Sequence, residues 1–414
     1  MSRIDDLIAE LCPHGVEYKA IGEIGTLVRG NGMPKSDFEE TGVGCIHYGQ
    51  IYTYYGTWTA ETISFIAKEK ADKLAKVDPG DIIITNTSEN IDDVCKAVAW
   101  LGDCQIVTGG HATVLKHDQD SKYISYYLKT PTFFTEKKRY ATGTKVIDVS
   151  AKNLGKIKIP VPPLEIQREI VKVLDTFTKL EAELEAELEA RRRQYHYYRD
   201  QLLNFEGRDD VQWMTLGEVI TNLRTGLNPR QNFVLNPPDA KNYYITVREL
   251  GGLRIVLSDK TDKINDDALK IINNRSKLRT GDVLFSGTGT IGNTALIECA
   301  PSNWNIKEGV YALTPNIRKI ISKFLLYLLN TTYVLSQINS FSAGSTVVSI
   351  SMANFKRVII PVPSLEEQTR IVAILDKFDA LVNDLSSGLP AEIAARRKQY
   401  EHYRDRLLTF KEAQ

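Results

Sequence analysis

The sequence of 414 residues has no long apolar run and no net charge. No segment approaches the ~18–20 consecutive apolar residues that a membrane-spanning helix needs. Lysine plus arginine number 52, as do aspartate plus glutamate, so the formal net charge is zero. A neutral chain predicts weak non-specific attraction to DNA phosphates. Because residues 1–6 show no secretory signal pattern, we expect a cytoplasmic protein.

Cysteine and histidine are both scarce. The five cysteines include no CxxC pair, and the six histidines include no HExxH motif or other metal-ligand spacing. We therefore expect reduced structural thiols and no metal site. The sequence also contains no P-loop and no paired-acid nuclease motif. It offers no candidate catalytic residue, and we expect a protein that is not an enzyme.

Two short motifs suggest nucleotide binding or methyl transfer, but the residues around them do not fit either activity. Residues 287–292 read GTGTIG, which matches GxGxxG, yet residues 293–297 alternate like a strand where a dinucleotide site needs a helix. We predict a polar hairpin loop there. Residues 236–239 read NPPD, which is similar to the NPP-aromatic motif of adenine methyltransferases. Asp239 cannot stack on a flipped base, so a proline turn is the simpler interpretation, and a stand-alone DNA adenine methyltransferase stays the alternative function.

One proline motif occurs twice. Residues 160–167 read PVPPLEIQ, and residues 361–368 read PVPSLEEQ, 201 positions later (361 minus 160). Proline fixes φ and lacks the amide hydrogen, so it suits an extended entry or the first turn of a helix. Each copy therefore predicts the end of a strand and the start of a long helix.

The repeat extends well beyond this motif. Residues 16–18 match residues 211–213, and the QYxxYRD-like helix ends near residues 194 and 399 match each other. The last offset is 205 rather than 201, so the second helix carries four extra residues, about one turn. Several matching blocks in the same order indicate an internal duplication.

The two long helices are predicted over residues 164–204 and 365–408. Their apolar residues follow a 4-3 spacing, which is typical of a coiled-coil seam, and each has the other as its only partner of similar length. An antiparallel pair of ~60 Å is the simplest arrangement. Residues 386–390 read SSGLP and predict a kink. Residues 2–11 predict a short amphipathic helix near the end of the second long helix.

The segments before each long helix predict mixed α/β domains. Residues 44–52 alternate like two strands around a turn, and a Gly-Asp pair precedes an apolar strand at both residue 80 and residue 281. We therefore predict an α+β fold, in which two similar mixed α/β domains are joined by two long antiparallel coiled-coil helices as a pseudo-twofold internal repeat. The predicted segments are 1–15 (N-terminal helix), 16–159 (first domain), 160–205 (first helix), 206–360 (second domain) and 361–410 (second helix).

Polar loops recur at equivalent places in both halves. Arginine can pair with guanine, asparagine and glutamine with adenine, and hydroxyl groups with phosphate, so these loops predict DNA contacts. The candidates in the first half are Arg29, Asn31, Gln50, Tyr52, Tyr54, Tyr55, Asn86, Thr87, Thr144 and Lys145. The candidates in the second half are Arg224, Thr225, Asn228, Arg230, Gln231, Ser286, Thr288, Thr290, Asn293, Ser345 and Thr346.

The duplicated proline motif, the helix ends and the opening LCPHGVEY of residues 11–18 together resemble the specificity subunit of type I restriction–modification enzymes. The resemblance implies two target-recognition domains, each reading half of a bipartite site in double-stranded DNA through the major groove, with the helices as spacer. It also implies two modification (methyltransferase) subunits and ATP-driven restriction subunits as partners. S-adenosylmethionine, ATP and magnesium would belong to those partners, and this chain would hold no cofactor.

Overall fold

A computed structural model describes residues 2–230, 232–342, 348–384 and 386–413. The chain divides into two compact units. The first unit is Met1–Glu183 with Ala394–Gln414, and the second unit is Leu184–Ile393. Within the described ranges, no helix combines the length and the apolar character needed to cross a membrane.

The first unit contains fourteen short strands within its described residues. The strands are β1 (Tyr18–Ala20), β2 (Gly25–Arg29), β3 (Phe38–Glu39), β4 (Val43–Ile46), β5 (Trp58–Thr59), β6 (Ser64–Ile66), β7 (Ala75–Val77), β8 (Ile82–Thr85), β9 (Thr87–Ser88), β10 (Ala97–Trp100), β11 (Ile106–Thr108), β12 (Ala112–His117), β13 (Ile147–Asp148) and β14 (Lys158–Pro160).

Its helices run from the N-terminus to the long helix that continues into the second unit. They are α1 (Ser2–Leu11), α2 (Ile21–Ile24), α3 (Tyr48–Thr53), α4 (Lys68–Ala71), α5 (Ser121–Tyr127), α6 (Pro131–Tyr140), α7 (Ala151–Leu154) and α8 (Leu164–Leu202). Helix α1 confirms the amphipathic helix expected from the sequence over residues 2–11.

Two five-stranded sheets form the centre of the first unit. Their strand orders are β2-β12-β8-β10-β5 and β3-β6-β4-β11-β7. Alternate side chains of a strand point to opposite faces, and β8 buries both of its faces. Ile82 and Ile84 pack on the helical side, while Ile83 packs against the second sheet through residues such as Ile46 and Val77.

The second unit has eleven strands, and seven further helices begin in it, counted over the residues that the structure describes. The strands are β15 (Gln212–Thr215), β16 (Ile220–Thr225), β17 (Asn242–Ile245), β18 (Leu250–Gly251), β19 (Arg254–Ile255), β20 (Lys263–Ile264), β21 (Val283–Ser286), β22 (Thr294–Leu296), β23 (Trp304–Ile306), β24 (Val310–Pro315) and β25 (Ile359–Val362). The helices α9 to α13 are Leu216–Val219, Asp266–Arg275, Ser322–Leu328, Thr332–Phe341 and Met352–Lys356, and α14 is Leu365–Asn383. The last helix, α15 (Gly388–Leu407), begins in the second unit and ends in the first.

The second unit repeats the plan of the first with fewer strands. Its main sheets have the orders β16-β24-β21-β22 and β20-β17-β23. The strand β21 is buried on both faces, as β8 is: Val283 and Phe285 pack on the helical side, and Leu284 packs towards the smaller sheet with Ile245 and Ile306. The strands that enter and leave each unit also pair, since Tyr18 lies opposite Pro160 and Trp213 lies opposite Pro361.

The proline motifs hold the long helices to the sheets through a buried glutamine. Gln167 donates to the Pro162 carbonyl oxygen at 2.7 Å and accepts from the Asp120 amide at 3.0 Å. Gln368 donates to the Pro363 carbonyl oxygen at 2.9 Å and accepts from the Ile321 amide at 2.8 Å. Both side chains are fully buried, so the duplicated motif performs the same structural task twice.

The long helices pair within each unit. In the first unit, the ring of Phe177 in α8 stacks on that of Tyr403 in α15, with centroids 5.4 Å apart, and Glu181 pairs with Arg397. Residue numbers rise along one helix as they fall along the other, so this pair is antiparallel. In the second unit, Tyr198 of α8 stacks on Phe378 of α14, with centroids 5.9 Å apart.

The N-terminal helix lies beside the end of α15, as expected. Ile4 packs in the core cluster that contains Leu407 and Leu408. The Val16 amide donates to the Lys411 carbonyl oxygen at 2.8 Å, and the Ala413 amide donates to the Val16 carbonyl oxygen at 3.0 Å. The two ends of the described chain therefore form a short stretch of parallel bridge.

Two local predictions were wrong. Residues 48–53 form helix α3 rather than a second strand, because His47 and Gln50 close a capping box that starts a helix. The second long helix is broken rather than kinked: α14 ends at Asn383 and α15 starts at Gly388, whose φ is +73°. Asp384 accepts hydrogen bonds from Ser386 in this break, and these bonds lower its pKa to about 2.

Candidate nucleic-acid interface

Strand pairing brings three candidate segments of the first unit to one edge of its larger sheet. The neighbours β2, β12 and β8 are antiparallel, with Arg29 opposite Thr113 and Ala112 opposite Thr85. The C-terminal ends of β2 and β8 therefore lie beside the N-terminal start of β12. Arg29, the loop after Thr85 and the turn before Ala112 meet at this edge.

A second hairpin joins the same edge. The strand β13 pairs with β9, so that Asp148 lies opposite Thr87, and the Val149 amide donates to the Asn86 carbonyl oxygen at 2.9 Å. Thr142 also bridges to Asp148, which makes residues 142–148 a hairpin. Thr144 and Lys145 lie at its exposed tip.

The second unit builds an equivalent edge. Thr225 and Phe285 both lie opposite Tyr311, and Phe285 also lies opposite Thr294. The loops that follow β16 and β21 therefore meet the turn before β24. These loops carry the candidates Asn228, Arg230, Thr288 and Thr290.

The loop before β25 in the second unit approaches this edge in the same way. Thr288 bridges to Ser349, the Gly289 amide donates to the Val348 carbonyl oxygen at 2.9 Å, and the Ile350 amide donates to the Gly287 carbonyl oxygen at 2.9 Å. The last bond is the counterpart of the bond from Val149 to Asn86. The candidates Gln231, Ser345 and Thr346 lie outside the described residues.

Three candidates are buried and hold the fold together. Asn86 donates to the Val149 carbonyl oxygen and accepts from Thr113, and Ser286 donates to the Thr290 carbonyl oxygen. Arg224 forms an ion pair with the fully buried carboxylate of Asp282. These three side chains are engaged with groups inside the protein, although Nε of Arg224 is buried without a partner among the described residues. We therefore correct the interpretation of these three residues to structural.

A further group of candidates is bonded to the protein and supports neighbouring loops. Gln50 donates to Ser64, Tyr52 donates to the Thr87 carbonyl oxygen at 2.6 Å, and Asn293 donates to the Leu250 carbonyl oxygen. Burial raises the pKa of Tyr52 to about 12. Three others also bond to the main chain: Asn31 to Lys73, Thr225 to Val310 and Tyr55 to Ile63.

Most of the remaining candidates present free polar groups. Among the described residues, the side chains of Arg29, Thr144, Lys145, Asn228, Arg230, Thr288 and Thr290 make no hydrogen bond or ion pair with the protein. All except Asn228 are exposed. Thr87 is half-buried and shares a 2.9 Å hydrogen bond with Nδ1 of His111, and Tyr54 is 64% exposed. Unpaired donors and acceptors on adjacent loops are the groups that can exchange water for DNA.

The family described as the type I restriction modification DNA specificity domain matches residues 13–190 and 208–395. The chain belongs to this family. The two matched segments correspond to the two halves of the duplication, and they include the sheets of both units.

Individual relatives agree with this family. The specificity subunit of the type I restriction enzyme EcoR124I/EcoR124II from Escherichia coli is 35% identical over 305 residues, covering 70% of this chain and 70% of its own length. A protein of Haemophilus influenzae that is assigned as a type I restriction enzyme specificity subunit is 31% identical over 312 residues, with coverages of 72% and 75%.

The fold is also found in a solved structure. A chain in a study of complex assembly and conformational transition of the type I restriction–modification system has a TM-score of 0.62 and 19% identity. The match covers 95% of the present chain and 97% of the chain in that solved structure. At this identity the likeness shows the fold alone.

The sequence patterns did not identify three polar residues that lie at these edges. His111 is exposed on the turn before β12, where its φ is +66°. Arg248 and Lys307 line a groove of about 360 Å³ beside Thr288 in the second unit. For His111 and Lys307, the available signal was the turn preceding β12 and β24, which carries Gly110 in one half and Gly309 in the other.

The two motifs with nucleotide or methyltransferase associations are structural here. Residues 287–292 form the loop of the antiparallel hairpin between β21 and β22, as predicted. Asn236 is the start of a turn with φ of +54°; it donates to Asp262 and accepts from the Lys263 amide at 2.8 Å. Nothing in this turn supports the methyltransferase alternative.

Proposed function

We propose that each unit reads one half of a bipartite target in double-stranded DNA through the loops at its sheet edge. The observation that carries this proposal is the equivalence of the two edges. In both units the loop after the buried central strand bonds to the segment before the last strand, and free hydroxyl, amide or guanidinium groups surround it. Such groups suit base edges and phosphates.

The proposed partners follow from the family and the neutral charge. Two modification subunits and ATP-driven restriction subunits assemble with this chain, and they bring S-adenosylmethionine, ATP and magnesium. The chain itself catalyses nothing and works in the cytoplasm. A zero net charge predicts weak DNA affinity for the chain alone, so we expect the partners to supply most of the phosphate contacts.

Exchange of one recognition domain tests the proposal. Residues 16–159 are replaced by the same segment of a relative, and methylated adenines are mapped in DNA from cells that also carry the partner subunits. We expect one half of the methylated site to change while the other half stays the same. A change in both halves would show that the units do not read DNA independently.

A second assay tests the non-catalytic role. The purified chain is incubated with target DNA and S-adenosylmethionine, with and without modification subunits, and methyl transfer is measured. We expect transfer only in the complete mixture. Methyl transfer by the chain alone would contradict this assignment and favour an enzyme.

A further inference from the structure

The turn before β12 holds a histidine in a backbone conformation that favours glycine. His111 has a φ of +66° and is exposed. The Asn86 amide donates to its carbonyl oxygen at 2.7 Å, which ties the turn to the loop after β8. A residue with a Cβ is uncommon in the left-handed region, and holding it there costs free energy. The first unit therefore keeps this side chain at some cost to its stability.

The second unit forms the same turn without a side chain. The Gly287 amide donates to the Gly309 carbonyl oxygen at 2.8 Å, which is the counterpart of the bond from Asn86 to His111. Gly309 also has a positive φ, of +90°. A Cβ at Gly309 would lie only 2.8 Å from Oγ1 of Thr288. Glycine therefore satisfies the turn, and the fold does not need the imidazole of His111.

The imidazole of His111 is held in place by its neighbours. Its Nδ1 shares a 2.9 Å hydrogen bond with Oγ1 of Thr87, and its ring packs on Tyr48 with centroids 5.0 Å apart. Tyr52 supports both neighbours: its hydroxyl donates to the Thr87 carbonyl oxygen at 2.6 Å, and its ring lies edge-on to Tyr48 at 6.3 Å. A side chain ordered before binding loses little conformational entropy when it meets a ligand.

The second ring nitrogen of His111 is free. Its Nε2 forms no hydrogen bond with any residue that the structure describes, and the side chain is exposed. The Thr87 hydroxyl can donate to Nδ1, and the proton of the neutral imidazole is then on Nε2. His111 thereby presents an N–H donor at the sheet edge where Arg29 also lies.

We propose that His111 is a specificity-determining residue, which donates from Nε2 to N7 of a purine in the major groove of the target. Both purines present N7 there as an acceptor, and pyrimidines have no equivalent atom. This inference rests on the proposed function, because it assigns one base contact to the loops of the first unit. Since Gly309 has no side chain, the contact belongs to one half-site only.

Two substitutions of His111 test the contact in cells that carry the partner subunits. His111→Gly copies the second unit. His111→Asn tolerates the left-handed backbone and keeps an amide near Thr87, but it has no atom at the place of Nε2. In methylation maps of both variants, we expect one purine position of one half-site to lose about fivefold in discrimination, while the other half-site and the melting temperature stay the same. His14→Asn is the control, because His14 is exposed in the turn after α1.

A base analogue supplies a second readout with the assembled complex of this chain and the modification subunits. Duplexes carry 7-deazaadenine or 7-deazaguanine at the purine position that the maps identify, and the rate of methylation is measured. We expect wild type to lose about fivefold in rate on the analogue. His111→Gly and His111→Asn are expected to methylate the analogue and the natural duplex equally, because they have already lost the partner of N7.

Two outcomes overturn the proposal. Unchanged discrimination at every position in both variants shows that His111 reads no base, and equal weakening on all duplexes shows a phosphate contact instead. If His111→Gly does not fold, His111→Asn decides the question. Exchange of residues 16–159 separates this inference from the proposed function: an altered half-site in that exchange, together with unaffected His111 variants, rejects the role of His111 alone.

Discussion

At the scale of single residues, two arginines at matching positions of the duplication have different environments. Arg29 and Arg224 occupy matching positions, 195 residues apart, yet Arg29 is exposed and Arg224 is paired with buried Asp282. The register of β16 shifts between Ile220 and Asn222. A one-residue shift turns each later side chain to the other face of the sheet, so Arg224 points inward.

Substituting these arginines separates recognition from stability. We expect Arg29→Met to weaken discrimination at one half-site by about 1–3 kcal/mol, without changing the melting temperature. We expect Arg224→Met to lower the free energy of unfolding by about 3–5 kcal/mol, because it leaves Asp282 charged and unpaired inside the protein. Urea denaturation and methylation mapping measure the two effects.

The double variant Arg224→Met with Asp282→Asn serves as the control. Removing both charges leaves no unpaired ion, so it is expected to lose less stability than Arg224→Met alone. If the Arg224→Met variant were fully stable but failed to recognise DNA, Arg224 would be assigned to the DNA interface instead.

His117 predicts a loss of stability in mild acid. Its Nδ1 accepts from the Gln119 amide at 3.1 Å, while its Nε2 is buried without a partner among the described residues. Burial lowers its pKa below 6.5 in spite of the nearby charges of Asp81, Asp118 and Asp120. Below pH 6.5 the unfolded chain binds a proton that the folded chain resists, so stability declines as the pH falls.

We expect His117→Leu to flatten this decline between about pH 7 and pH 5.5. The measurement is the urea midpoint at several pH values for the variant and wild type. His14→Leu is the comparison, because His14 is exposed. Identical pH profiles for wild type and His117→Leu would assign the acid sensitivity to other groups.

At the scale of elements, the duplicated glutamine is the clearest link from sequence to structure. The buried amides of Gln167 and Gln368 each connect a proline segment to the loop before a helix. Substitution by methionine preserves the length of the side chain but leaves main-chain groups without partners. We expect Gln167→Met and Gln368→Met each to cost about 1–3 kcal/mol.

Because the two glutamines lie in different units, their effects are expected to add in the double variant. Chemical denaturation of the four proteins measures this sum. A cost confined to one of the two substitutions would show that the motif is structural in one unit only.

Local sequence patterns predicted the secondary structure that depends on neighbouring residues. They did not predict side-chain roles that depend on partners distant in the sequence. The proline motif correctly predicted both strand-to-helix transitions, and the apolar periodicity predicted α8. The alternation of residues 44–52 wrongly predicted a second strand, because a capping box between His47 and Gln50 starts a helix there. No local pattern joins Asn86 to Val149 or Arg224 to Asp282, so their structural roles became visible only in three dimensions.

At the scale of the whole molecule, helix α8 is continuous from the first unit into the second. Inserting one Glu-Ala-Glu-Leu unit after Leu188 adds four residues, or about 6 Å of helix. That length corresponds to nearly two base pairs at ~3.4 Å each. We expect the gap between the half-sites to grow by one or two bases while both half-sites stay the same.

Methylation mapping in cells measures this gap, and a four-residue insertion in the exposed turn near Asp103, between β10 and β11, serves as the length-matched control. An unchanged gap after the helix insertion would mean that the helix does not set the distance.

The bridge between Val16 and the Lys411–Ala413 segment makes a circular permutation of the chain feasible. Since the beginning and the end of the described chain already touch, a short linker should fuse them into a closed ring. The ring could then be cut near Arg208, in the exposed turn between α8 and β15, which is the counterpart of the junction between α15 and Val16. We expect this circular permutant to fold, to melt within a few degrees of the parent, and to direct methylation to the same DNA sequence.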